Sequence, residues 1–313
     1  MVCSNVTPVL RLLPILAACA VLAVAPGCAS DGEAADRDGV AVVATTGQAA
    51  DFARQVGGGR IAVTGLLAPN ADPHDYEVRP DDVKALADAD LVIRSGGEVD
   101  EWLGDAIDAS GTDAPELVLA DHVEVRDGDP HWWQDPRNAI GATAAIEGAL
   151  AKADPAGAAG YRRRARAYTA TLERLDREVA RCIAQIPPAQ RALVTTHDAL
   201  GAYAARYGLR VVGAVIPSRT TQAQPSAGDV ARLTRLIRRE HVRAVFPERA
   251  VDPRLARALA QQAGARVGGQ LYADALGPRG SRGATWPASE AANADTIVQG
   301  LTGGTRRCRI ANP

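Results

Sequence analysis

The chain has 313 residues, enough for two domains, and its 47% hydrophobic and 23% charged residues are an ordinary globular composition. A formal net charge of −2 gives no electrostatic reason to expect nucleic acid, which is excluded as a partner.

At the start, Arg11 precedes the apolar run "LLPILAACAVLAVA", which breaks at Pro26-Gly27-Cys28. The run is shorter than the roughly 20 apolar residues that span a bilayer, so it reads as a secretory signal segment. Its end, "APGC", resembles the lipobox of bacterial lipoproteins, although Ala25 and Pro26 depart from the usual residues. Residues 1–28 are therefore expected to be a signal peptide with a lipobox-like end, with Cys28 lipidated; the alternative is plain cleavage nearby and a free secreted protein. Residues 29–38, "ASDGEAADRD", are small, acidic and aperiodic, and read as a flexible tether.

Short β-branched runs then alternate with helical stretches. "VAVVATT" (40–46), "IAVTGLL" (61–67), "LVIRSG" (91–96) and "ELVLA" (116–120) read as buried strands, too continuously apolar to be half-exposed. The order strand, helix, strand implies a parallel sheet. "RALVTTH" (191–197), "RVVGAVI" (210–216), "VRAVFPE" (242–248) and "ARVGGQLY" (265–272) repeat the pattern. Between the halves, Tyr161, Ala165, Tyr168, Leu172, Leu175, Val179 and Ile183 recur in steps of three and four, the stripe of one long helix ended by Pro187-Pro188. The expected architecture is α/β: an N-terminal lobe over 39–153, a linking helix over 154–187 and a C-terminal lobe over 188–313, each lobe with a parallel sheet. Of five cysteines, Cys3 and Cys19 are expected to leave with the signal segment, and Cys28 is set aside if it takes the lipid. Cys182 and Cys308 remain, and in an exported, oxidising setting they are expected to pair.

Three of the five histidines share a context. His74, in "LLAPNADPHDYEVRP", and His131, in "GDPHWWQDP", each follow a first-lobe strand, and His197 ends a second-lobe strand. Ligands of parallel α/β sheets collect beyond the carboxyl ends of the strands, so the three imidazoles are candidates to meet in the cleft between lobes. Asp274, in "QLYADALGP", follows a strand on the same side. Three imidazoles and a carboxylate suit a borderline divalent cation. Any one of these histidines alone is ordinarily a loop or core residue. Asp-Pro precedes two of them (Asp72-Pro73 and Asp129-Pro130) and stiffens the approach.

"DPHWWQDPRNA" resembles the "DPHxWxDPxNA" stretch of the zinc/manganese-binding solute-binding lipoproteins of bacterial metal ABC transporters (ZnuA/TroA-like). "ADPHDYEVRPDDVKALADADLVIRSGGEVDEWL", "VTTHDALGAYAARYGLRVVG" and "LYADALGPRGSRGATW" are similar to the same family's other three ligand stretches, in order along nearly the whole mature chain. The resemblance implies two (β/α) lobes bridged by a long helix, with His74, His131, His197 and Asp274 as metal ligands in the interlobe cleft. It implies a monomeric binding protein, not an enzyme, held at the outer face of the cytoplasmic membrane and handing its metal to a membrane permease. Trp132 and Gln134 depart from the family pattern beside the second ligand.

Relatives favouring manganese carry Glu where this chain has His197, and imidazole suits zinc while oxygen donors suit manganese. Zn2+ is therefore the expected cargo, with Mn2+ the alternative. Against zinc, residues 121–130 are short, with only His122, where zinc-specific relatives carry a long His-rich loop. Because ligand imidazoles must be neutral, metal loss is expected to begin below roughly pH 6. Readings from other classes are a metallohydrolase, which would need an open coordination position, and a surface adhesin. Glu248 reads as a support for the site, Trp132 and Trp133 as its packing, His122 and His241 as exposed, and Arg162, Arg163 and Arg164 as a solvated helix face.

Overall fold

The computed structural model describes residues 39–311; the signal segment, Cys28 and the tether lie outside the described residues. Strands β1 (Val40–Ala44), β2 (Ile61–Gly65), β3 (Leu91–Arg94) and β4 (Glu116–Val118) form one parallel sheet in the order β2-β1-β3-β4. Helices α1 (Gly47–Gly57), α2 (Pro80–Ala87), α3 (Leu103–Ser110) and α4 (Pro136–Ala153) accompany it. Thr46 caps α1 by accepting from the Ala49 amide, and Asp135 caps α4 through the Arg137 amide. Each cap sits just past a strand or a ligand loop, so the caps fix where those loops end.

The long helix α5 (Ala158–Ile183) is next. Its 26 residues span about 39 Å, shorter than the 154–187 expectation. The difference lies at its ends: Pro155–Gly157 form a separate 3-10 turn capped by Asp154, and the helix stops at Ala184 ahead of the prolines. All seven residues of the predicted stripe are buried. They pack in one core cluster with Phe52, Trp132, Trp133, Ile146 and Leu150 on one side and Tyr203, Phe246, Ile297 and Leu301 on the other. One apolar stripe thus serves both sheets. A disulfide joins Cys182, at the end of α5, to Cys308, across a Cα–Cα distance of 5.4 Å.

The second half runs β5 (Ala192–Thr195), α6 (Gly201–Tyr207), β6 (Arg210–Ala214), α7 (Ala227–Arg239), β7 (Ala244–Val245), α8 (Arg254–Ala263), β8 (Arg266–Val267) and α9 (Trp286–Thr302). β5 pairs with β6 and β7 with β8, all parallel, and single bridges at Thr195–Phe246 and Glu248–Leu271 extend the pairing. The last two strands are shorter than the sequence implies. Pro247 has no amide to donate, and Gly268 lies so close to the Phe246 ring that a Cβ there would stand 2.3 Å from it.

The expectation that every strand is buried fails for β2, β6 and β8, whose residues are all half-buried or exposed. β2 is an edge strand, and an apolar run does not reveal which strand ends a sheet. Arg164 departs from expectation too: its guanidinium donates to the Val56 and Gly57 carbonyls at 2.7 Å each. Those are the free carbonyls at the C-terminal end of α1, so Arg164 ties α5 to α1 and only Arg162 and Arg163 are solvated.

Candidate metal centre

His74 follows β2, His131 follows β4, His197 follows β5, and Asp274 lies just past the Leu271 bridge. Parallel strands deliver all four to one side. The two Asp-Pro-His stretches fold alike: Asp72 accepts from the His74 amide at 2.9 Å and Asp129 from the His131 amide at 3.0 Å. Each closes an Asx-type turn that presents its imidazole.

All four side chains are buried, and one donor atom from each lies within 4.8 Å of the others. Nε2 of His131 is 3.4 Å from that of His74 and 3.3 Å from that of His197. Asp274 Oδ2 lies 3.6 Å from His74 Nε2 and 3.0 Å from His197 Nε2, and Asp274 Oδ1 lies 3.6 Å from His131 Nε2. Metal bonds of about 2.0–2.1 Å at tetrahedral angles put donor atoms about 3.3–3.4 Å apart. The five separations given, 3.0–3.6 Å, lie on both sides of that value, and all four donors fall within 4.8 Å.

Carboxylates behind the rings decide which way the nitrogens face. Asp129 accepts from His131 Nδ1 at 2.7 Å, and Glu248 accepts from His197 Nδ1 at 2.6 Å and from the His197 amide at 2.9 Å. A carboxylate can only accept, so Nδ1 keeps its proton and Nε2 is the nitrogen left to face a metal, once any proton on it has gone. Gly201, at the start of α6, leaves room for this: a Cβ there would come within 3.0 Å of Asp129 Oδ2. The Asp274 loop is held by Trp133 Nε1 and Gln134 Nε2, which both donate to the Ala273 carbonyl, at 2.9 and 2.8 Å. Trp132 donates to the Ser95 carbonyl and packs edge-on against Trp133, whose ring meets the His131 ring edge-on.

The metal-free electrostatics are polarised. Burial pushes the His74 imidazole down to about 4. Burial also opposes charge on His197, but Asp274 and Glu248 outweigh it and raise the ring well above its ordinary value. Burial likewise opposes ionisation of Asp274, yet the three imidazoles outweigh it and hold the carboxyl below the usual range. Among the described residues Asp274 Oδ1 is buried with no hydrogen-bond partner, and Oδ2 faces only His197 Nε2, at 3.0 Å, which can answer it only while that nitrogen carries a proton. An ionised carboxylate so placed costs several kcal/mol unless a cation answers it.

The structure thus brings together all four predicted residues. His122 and His241 are exposed and take no part. The ring partner Asp129 was visible in sequence only as part of a stiff Asp-Pro turn. Gln222 was missed altogether: its amide donates to the His74 carbonyl from 148 residues away, and nothing in its local sequence marks it.

The family described as zinc-uptake complex component A, periplasmic, matches residues 42–300. The chain belongs to this family. Members of the zinc-uptake component A family are substrate-binding components of metal ABC transporters, and this chain is one of them. It is similar to the manganese-binding lipoprotein MntA of Bacillus subtilis (strain 168), 33% identical over 291 residues that cover 88% of this chain and 94% of the relative. It is 30% identical to the zinc-binding protein TroA of Treponema pallidum over 275 residues, covering 83% and 88% of the two chains. The solved structure of the periplasmic zinc binding protein TroA from that organism superposes with a TM-score of 0.80 at 28% identity, covering 84% of this chain and 99% of that one. That superposition carries the two-lobed α/β fold with a long helix.

Proposed function

We propose that this chain captures Zn2+ outside the cytoplasmic membrane and delivers it to the membrane permease of an ABC importer. His74, His131, His197 and Asp274 are its ligands. The observation that carries the reading is a buried Asp274 carboxylate and three buried imidazoles whose donor atoms gather within 4.8 Å, with no partner for the carboxylate outside that group among the described residues. Three nitrogens and one carboxylate favour zinc over manganese by ligand type, and the divalent series points the same way. Four protein donors fill a tetrahedron and leave no open position for a catalytic water, which argues against the hydrolase reading. The chain acts as a monomer anchored through Cys28, with lobes over 39–153 and 188–313 joined by a linking segment over 154–187 whose helix is α5 (Ala158–Ile183).

Manganese is the second reading, because the relative at 33% identity is named for manganese. Elemental mass spectrometry of the mature protein, purified without chelator or added metal, tests which metal it carries. Competition titration of the metal-free protein is expected to rank zinc above manganese, and His197→Glu to narrow the gap. Equal affinities, or an unchanged preference in that variant, would overturn the ligand-set argument.

A further inference from the structure

The four-residue centre is closed. His131 and His197 are 0% exposed, Asp274 3% and His74 8%, so a bound ion leaves only when something moves. The four arms are not equally held. The His131 and His197 rings are each tied by a carboxylate at Nδ1, and the Asp274 loop by two donors on the Ala273 carbonyl. Among the described residues the His74 ring has no partner outside the centre itself. Its arm, between β2 and α2, contains only one 3-10 turn, Pro73–Asp75.

Its own lobe holds that arm on either side of His74, where Trp102 Nε1 donates to the Pro73 carbonyl at 3.1 Å and the Tyr76 hydroxyl donates to Asp82 at 2.6 Å, and the hold on His74 itself comes from the opposite lobe. The segment 217–225, between β6 and α7, has no regular structure and hydrogen-bonds to the first-lobe ligand loops. Arg219 Nη1 donates to the Asp127 carbonyl at 2.7 Å, beside Gly128, and Gln222 Nε2 donates to the His74 carbonyl. Resting on the metal-site reading above, we propose that Gln222 is a latch. It holds the His74 arm over the ion alongside the Thr221–Asp72 and Trp102–Pro73 bonds, and release of its hydrogen bond loosens the backbone of His74 itself, so Gln222 slows the rate at which metal leaves. It is a positioning residue acting through His74 and touches no metal itself.

The test is stopped-flow zinc dissociation into excess chromophoric chelator. It compares wild type, Gln222→Ala, the isosteric Gln222→Glu, which cannot donate, and Gln224→Ala, an exposed neighbour on the same segment. Loss of one partly exposed hydrogen bond should speed dissociation about three- to tenfold in both Gln222 variants. Association, the metal-free melting temperature and the Gln224→Ala rate should stay at wild-type values. Without metal, hydrogen exchange over residues 72–76 should quicken in Gln222→Ala. Dissociation within twofold of wild type in either Gln222 variant overturns the latch. So does Gln134→Leu speeding release while the Gln222 variants do not, since the Asp274 arm would then be the gate. A wild-type chain that takes up no zinc overturns the site reading and the latch with it, whereas normal uptake with unchanged Gln222 rates overturns the latch alone.

Discussion

Replacing Glu248 with Gln isolates how much a carboxylate behind the site contributes to holding metal. Glu248 is 1% exposed and accepts twice from one residue, through Oε1 from the His197 amide and through Oε2 from His197 Nδ1. A glutamine keeps the shape but offers only one accepting oxygen. If that oxygen faces Nδ1, the side-chain NH2 meets the His197 amide and two donors oppose each other. If the NH2 faces Nδ1, the ring must carry its proton on Nε2, aimed at the metal.

Either outcome weakens binding. Removing such an outer partner typically costs about 10–100-fold in metal affinity, equivalent to about 1.4–2.7 kcal/mol. The pH dependence has a definite sign. Glu248 helps raise the metal-free His197 pKa, so the variant ring competes less for protons and the affinity gap should narrow as pH falls. Competition titration with a chromophoric chelator between pH 8 and pH 6 reads both effects, and a melt of the metal-free variant checks folding. A folded Glu248→Gln protein binding zinc within twofold of wild type at pH 8 would refute the reasoning.

Zinc binding at pH 7 should release about one proton, because metal-free His197 is held protonated well above the ordinary histidine value while His74, at about 4, is already neutral. Calorimetry in buffers of different ionisation enthalpy measures the release; none would contradict it, and the affinity should fall from higher pH than the pH 6 that free histidine suggests. Alkylation of the unreduced protein should find no free thiol at Cys182 or Cys308, and opening that 126-residue separation should destabilise by up to about 5 kcal/mol, read from denaturant melts with and without reductant. Arg164→Ala should cost about 1–2 kcal/mol by freeing the two carbonyls at the end of α1, whereas Arg163→Ala, on the solvated face, should leave the melt unchanged.

The repeated Asp-Pro-His turns, the histidine closing "VTTH" and the aspartate after "QLY" were legible in the sequence because each signal is local. An apolar run ends, and a polar ligand type stands just past it. Parallel strands then bring all such positions to one side without further information. The stripe on α5 was legible for the same reason, since a repeat of three and four residues is a property of one segment. The ends of α5 were not, because Asp154 and Pro155 form their own turn, which competes with the helix for the same backbone. Nor was the exposure of β2, which depends on which strand lies at the sheet's edge.

Only the tertiary structure decided what stands behind each ligand. Glu248 was legible as a support for the site but not that it reaches His197, 51 residues away, and neither the bond from Gln134 to the Ala273 carbonyl across 139 residues nor that from Arg164 to α1 across 108 was legible. Glutamate, glutamine and arginine are common in loops and on helices, and no spacing rule marks the one whose donor or acceptor ends within hydrogen-bond range of a distant segment. Hydrogen bonds fall off within a few tenths of an ångström, whereas sequence patterns fix only which face of an element is apolar. The ligand types are therefore written in the chain, but the tautomers, charges and restraints that make them a closed site arise only when the two lobes are packed on one helix.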